Sequence, residues 1–265
     1  MTGSAARGPT ERARRIRTIL LDVTGTLIEV RGGVERLYLG LAPRHGLRLD
    51  PARVGPSFAA ALGAAPPLAF GALEPDARRA SERRWWREVV GRTVAASATS
   101  PDVSRADAGS ASPVGDGPQL DAFFDDLFAA FARPEAWSVL SGAREVLAEL
   151  ARRRYRLGVL SNFDTRLPDL LAGLGLAGHL ALIATSSELG YAKPDARSFG
   201  AALARLGEIA ARSAYVGDTP ATDAAGAASA GLLPVLLGAP LPPGVAGFEI
   251  SGLADLLDLF SGPAA

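Results

Sequence analysis

The chain has 265 residues, 48% of them hydrophobic, and its 28 basic and 28 acidic side chains cancel to a formal net charge of zero. That length supports one large domain or two smaller ones with sizeable cores, and balanced charge without a long single-sign run offers neither a nucleic-acid stripe nor a polybasic membrane face, so neither partner is expected. The absence of cysteine excludes a disulfide framework, a thiolate nucleophile and a Cys-ligated zinc.

Met1 to Arg17 is polar and Arg-rich, with no apolar stretch of signal-peptide kind. Residues 1–16 are expected to form a disordered leader, and the cytoplasm is the expected compartment. No later segment reaches the apolar length of a membrane span. Arg17-Thr18-Ile19-Leu20-Leu21-Asp22 is an aliphatic run ending in an acid, followed by Val23-Thr24-Gly25-Thr26. It reads as a buried strand running into a tight loop.

From about Arg31 to Trp137 helical runs replace strands, and 31–137 reads as an all-helical insertion. Within it, Trp85 and Trp86 lie about 100° apart on a helix, so one is expected to pack inward and the other nearer the edge, where a substrate-facing role stays open. Residues 95–118 are rich in Ala, Ser, Gly, Asp and Pro; they bury too little to order themselves and are expected to form a flexible loop. Phe123, Phe124, Leu127, Phe128 and Phe131 share one broad apolar face suited to a small helical bundle. His45 and His179 form no metal cluster with their sequence neighbours and read as ordinary surface or helix-end residues.

Strands then return at Arg156–Ser161, Ser213–Asp218 and Leu232–Leu237, with a weaker run at Leu180–Thr185. Between them, Ala143, Val146, Leu147 and Leu150 share one helical face, as do Phe199, Ala202, Leu203 and Leu206. Arg152-Arg153-Arg154 reads as the solvated C-terminal end of a helix, where cations complement the dipole. Strands alternating with helices predict a parallel sheet covered on both faces, so residues 17–30 and 138–262 are expected to form one α/β core.

In an open parallel sheet, ligands bind beyond the C-terminal ends of the strands. Asp22, Ser161 and Asp218 fall there, and Lys193 follows the weaker strand. Asp223 stands five residues after Asp218, so a short turn can return both carboxylates to one place. Lys193 is also the only lysine among the 28 basic residues. Lysine is a compact point charge and arginine a planar fork, so a tight site holding a carboxylate and a tetrahedral phosphate favours the ammonium. Acids gathered at strand ends suit Mg²⁺, and an aspartate beside such a cation can attack phosphorus. Glu188 and Tyr191 precede Lys193 closely enough for either a supporting role or simple loop packing.

Four fragments in order, Asp22-Val23-Thr24-Gly25-Thr26, Ser161-Asn162, Lys193-Pro194 and Gly217-Asp218 with Asp223, resemble the motifs of the haloacid dehalogenase (HAD) superfamily. The resemblance covers nearly everything from Arg17 to Phe260. A group within the superfamily also shares the Trp85-Trp86 pair and the stretch Leu160-Ser161-Asn162-Phe163-Asp164. It implies a Rossmann-like core in which the insertion is a helical cap of the C1 type, and a Mg²⁺-dependent phosphohydrolase acting on a small phosphorylated substrate through an aspartyl phosphate. It further implies that Asp22 is nucleophile and metal ligand, the Thr24 carbonyl a second ligand, Asp218 a third, and Asp223 an assisting one. By the same likeness Ser161, the Asn162 backbone N–H and the Thr26 region hold phosphoryl oxygens, while Lys193 neutralises charge between Asp22 and the phosphoryl group.

The pattern departs from the family at Thr24, where its phosphatases carry an aspartate that protonates the leaving oxygen and later activates water. A threonine hydroxyl does not ionise near neutral pH, and general acid-base help is typically worth about 10²- to 10⁴-fold. Three readings compete. The chain is a slow or selective phosphatase suited to good leaving groups such as acyl or aryl phosphates, or one that borrows a proton relay from the cap. The loop also looks like that of P-type ATPases, a transport role excluded by the lack of transmembrane helices. The third is a catalytically impaired module that binds a phospholigand or a protein. Dehalogenation suits the lysine and the acidic pair less well than phosphoryl chemistry.

Overall fold

The computed structural model describes residues 8–99 and 117–262. In chain order, α1 (Pro9–Ala13) leads to β1 (Thr18–Leu21) and β2 (Ile28–Val30). Then come α2 (Gly33–Leu41), α3 (Pro51–Ala64), α4 (Pro75–Ser97) and α5 (Pro118–Phe131), followed by β3 (Trp137–Val139). The remainder alternates: α6 (Ala143–Arg152), β4 (Arg156–Ser161), α7 (Leu167–Gly173), β5 (Leu182–Thr185), α8 (Ser186–Leu189), α9 (Ala196–Leu206) and β6 (Ser213–Gly217). It closes with α10 (Ala225–Ser229), β7 (Leu233–Leu237), β8 (Phe248–Ile250) and α11 (Asp255–Leu259).

Six strands form a parallel sheet in the order β5-β4-β1-β6-β7-β8. All four residues of β1 are buried, as a central strand covered on both faces requires. On one face Leu20, Leu160 and Tyr215 pack with Phe199, Ala202, Leu203 and Leu206 of α9. Helix α6 buries Ala143, Val146, Leu147 and Leu150, all at most 2% exposed. The register sets Leu21 opposite both Val159 and Val216. Asp22 therefore emerges at the edge where β4 ends in Ser161 and β6 runs into Asp218.

The described residues divide into two compact units: 8–29, 68–73 and 139–262, which contain this sheet, and 30–67 with 74–99 and 117–138. The second unit has its own core, in which Tyr38, Val54, Val90, Val94, Phe123, Phe124 and Leu127 are buried together. Phe128 and Phe131, expected on the same face, are only partly buried against it. Trp85 is buried and donates its indole N–H to the Pro66 carbonyl at 2.8 Å, while Trp86 meets it edge-on and is less covered. His45 lies against the Phe123 ring and 2.9 Å from Asp126, which accounts for it as a packing residue.

Four expectations are corrected. Of the leader at 1–16, residues 1–7 lie outside the described residues, but 9–13 are helical, Ala13 and Ile16 are buried, and Arg12 donates to the Gly231 carbonyl at 2.9 Å. Ala13 and Ile16 are apolar anchors of this segment, and Arg12 ties it to the turn before β7. Of the loop at 95–118, residues 95–97 complete α4, where the Ser97 hydroxyl donates back to the Thr93 carbonyl at 2.7 Å, and Pro118 opens α5; residues 100–116 lie outside the described residues. The insertion at 31–137 is interrupted at Leu68–Leu73, which groups with the sheet because the Ser186 hydroxyl donates to the Leu68 carbonyl at 2.6 Å and Phe70 N–H to the Ser187 carbonyl at 3.0 Å. Arg153 is not simply solvated: it donates to the Leu257 and Phe260 carbonyls and so ties down α11.

Candidate active site

The loop after β1 is wound tightly around Val23, whose carbonyl accepts from both Leu27 and Ile28, while Gly25 N–H donates to the Ile28 carbonyl at 2.8 Å. Gly25 has φ +83°, and a Cβ there would stand 2.3 Å from Asp218 Oδ2. Glycine is thus required twice, by left-handed backbone and by the close approach of the loop after β6. Thr24 is exposed. Thr26 is buried, and its hydroxyl has no hydrogen-bond partner among the described residues.

Lys193 is 5% exposed. Its ammonium donates to Asp22 Oδ1 at 2.7 Å, Asp223 Oδ1 at 2.7 Å and Tyr215 Oη at 2.6 Å. Burial works against that charge, but the two carboxylates outweigh it and hold the lysine above its ordinary pKa. The backbone carrying Lys193 is gripped from β4: the Asn162 side-chain amide donates to the Lys193 carbonyl at 2.9 Å and accepts its N–H at 2.8 Å.

Asp223 sits in a single π-helical turn, Pro220–Ala224. Its Oδ2 accepts the N–H groups of Asp218 at 3.2 Å and Thr219 at 3.0 Å. Both of its oxygens are therefore engaged, one by the lysine and one by the turn. Asp218 differs, since its Oδ1 is buried without a hydrogen-bond partner among the described residues. Burial first, then the charges of Asp22 and Asp223, push the Asp218 carboxyl up to about 6.

Asp22, Asp218 and Asp223 bring carboxylate oxygens within 4.8 Å of one another. Three carboxylates face one ammonium, and an orphaned carboxylate oxygen lies among them. An all-oxygen donor set with surplus negative charge fits a hard divalent cation such as Mg²⁺. Asp218 and Asp22 are the better placed to ligate it, because Asp223 is already spent on Lys193 and the turn.

Of the residues singled out from sequence, Asp22, Lys193, Asp218 and Asp223 converge, with Ser161 buried at the end of β4. Two contributions escape sequence reasoning. The Asn162 side chain holds the lysine loop, whereas only its backbone was a candidate. Tyr215, a residue that reads as strand core, places its hydroxyl on the ammonium and donates to the Leu160 carbonyl at 2.8 Å. Its only signal is a polar tip on a buried aromatic three residues before Asp218. Glu188 bonds within its own turn to Thr185, and Tyr191 lies under the Arg197 guanidinium, so both are occupied locally.

Parallel strands bring a carboxylate, a buried lysine and an acidic pair to one sheet edge, and the chain belongs to the haloacid dehalogenase-like hydrolase family, whose model matches residues 16–231. It is 33% identical to mouse haloacid dehalogenase-like hydrolase domain-containing protein 3 over 222 residues, 82% of this chain and 80% of that protein. Phosphoserine phosphatase of Thermus thermophilus is 39% identical over a shorter stretch, 39% of this chain and 42% of that enzyme. Among solved structures, the HAD-hydrolase YfnB from Bacillus subtilis, bound to magnesium, covers 93% of this chain and 99% of its own, with a TM-score of 0.64 at 19% identity, a likeness of fold. No helix among the described residues is long and apolar enough to cross a membrane.

Proposed function

We propose that this hydrolase is a magnesium-dependent phosphohydrolase, slow or selective, acting on a small phosphorylated metabolite through an aspartyl phosphate at Asp22. The observation that carries the reading is the sealed Lys193 ammonium, 2.7 Å from Asp22 Oδ1 and braced by Asp223. A buried ammonium aims the Asp22 carboxyl, and its charge offsets the approach of a phosphoryl anion to a carboxylate.

In the first step a carboxylate oxygen of Asp22 attacks phosphorus, the bond from phosphorus to the leaving oxygen breaks, and that oxygen departs with the electron pair. Water then attacks the aspartyl phosphate, freeing inorganic phosphate and restoring Asp22. The Ser161 hydroxyl, the Asn162 N–H and the buried Thr26 hydroxyl are the donors proposed for the phosphoryl oxygens. Asp22, the Thr24 carbonyl and Asp218 would hold Mg²⁺, with Asp223 behind them; when bound, the cation supplies positive charge to the oxygens that gain negative charge in the transition state.

Thr24 offers no carboxyl to protonate the leaving oxygen. The reaction therefore favours leaving groups that depart as stable anions, such as acyl or aryl phosphates. The test is phosphate release from an aryl phosphate, with Mg²⁺ and then with EDTA, by the parent protein and by Asp22→Asn. Mg²⁺-dependent turnover lost in Asp22→Asn is expected. Equal rates in the two proteins would overturn the reading and leave a module that binds phosphorylated ligands.

A further inference from the structure

An ammonium has three N–H donors, and Lys193 has committed all three: two to the carboxylates of Asp22 and Asp223, one to the Tyr215 phenol. To touch a phosphoryl oxygen, Lys193 must exchange one of them. All three bonds are charge-assisted, but Asp22 and Asp223 add the Coulombic attraction of a full negative charge that the neutral phenol lacks, so the bond to Tyr215 is the one exchanged at least cost.

Tyr215 is built to be that acceptor. Its hydroxyl proton is already given to the Leu160 carbonyl at 2.8 Å, so towards the lysine it can only accept. The ring is 1% exposed and stands edge-on against Phe199 with centroids 5.0 Å apart, which fixes where the oxygen lies. Leu160 directly precedes Ser161, so the chain of bonds ties the end of β4 to the lysine through β6.

We propose that Tyr215 is a positioning residue: its hydroxyl holds the third N–H of Lys193 in the free enzyme and yields it to an oxygen of the phosphorylated substrate. This rests on the phosphohydrolase reading above. Without the hydroxyl, a buried donor is left unmade or the ammonium turns between its two carboxylates, and either outcome removes direction rather than charge.

The sole lysine makes the test direct, because the full chain labelled with ¹⁵Nζ-lysine gives one side-chain ammonium signal. In the parent, slow exchange with water and a shift on adding inorganic phosphate with Mg²⁺ are expected. In Tyr215→Phe, which keeps the ring packing, ammonium exchange should accelerate and KM for an aryl phosphate fall by up to about tenfold, because substrate no longer has to displace the hydroxyl, while kcat changes less. The melting temperature should change little, unlike a packing defect. Exchange unchanged between the two proteins overturns the proposal whatever the turnover. Should the variant not fold, phosphate titration of the parent decides: the Tyr215 ¹³Cζ signal should move with that of Lys193, and a tyrosine signal that stays still overturns it. Full turnover by Asp22→Asn would instead sink the phosphohydrolase reading, leaving the exchange result to stand on its own.

Discussion

At Thr24 the absence of one carboxyl sets the chemistry the site can perform. An exposed threonine two residues beyond Asp22 neither donates a proton to a poor leaving group nor takes one from water near neutral pH. Thr24→Asp should therefore raise kcat on alkyl phosphates at least tenfold, towards the roughly 10²- to 10⁴-fold that general acid-base help supplies, and change aryl phosphates much less. Parallel assays on one ester of each kind would read this, and equal gains on both would show that leaving-group protonation is not what limits the parent. Lys193 makes the complementary point. The ammonium suits its site because three acceptors converge on one atom, whereas a guanidinium spreads its donors across a plane.

The loops that end β1 and β6 act as one element. Gly25 lies against Asp218 so closely that a methyl group cannot fit, and its φ of +83° disfavours any other residue. Gly25→Ala should cost about 1–2 kcal/mol through left-handed backbone and, separately, displace the Asp218 carboxylate. Chemical denaturation and Mg²⁺ titration would separate the two; unchanged Mg²⁺ affinity would mean that the loops give way without moving Asp218. Much of this edge is legible in the sequence. The aliphatic runs ending in Asp22, Ser161 and Asp218 announce themselves by composition, and Asp223 by its five-residue offset. The three-residue strands β2, β3 and β8 are too short for any period to show. The Asn162 clamp and the Tyr215 hydroxyl depend on contacts across 31 and 22 residues, and nothing local marks them. Helix α1 escapes for a similar reason, since its one buried side chain, Ala13, leaves no pattern.

Across the whole molecule, the α/β unit is assembled from remote stretches of chain: β1 pairs with β4 across the entire insertion and with β6 further still. What those pairings gather is an excess of negative charge, three carboxylates against one ammonium, which opposes folding unless a cation relieves it. At a hundredfold excess over Kd, a ligand that binds only the folded state adds about 2.7 kcal/mol. Mg²⁺ should therefore raise the melting temperature of this unit by several degrees and EDTA reverse the gain, while Asp218→Asn responds weakly or not at all. An equal rise in that variant would place the binding elsewhere.

Lys193, 5% exposed, is the chain's only ε-amine. Reagents and enzymes that acylate lysine side chains or attach ubiquitin to them thus meet no accessible ε-amine on the native surface. Any adduct found at that position records an occasion when the crevice came apart, and peptide mapping by mass spectrometry can count it.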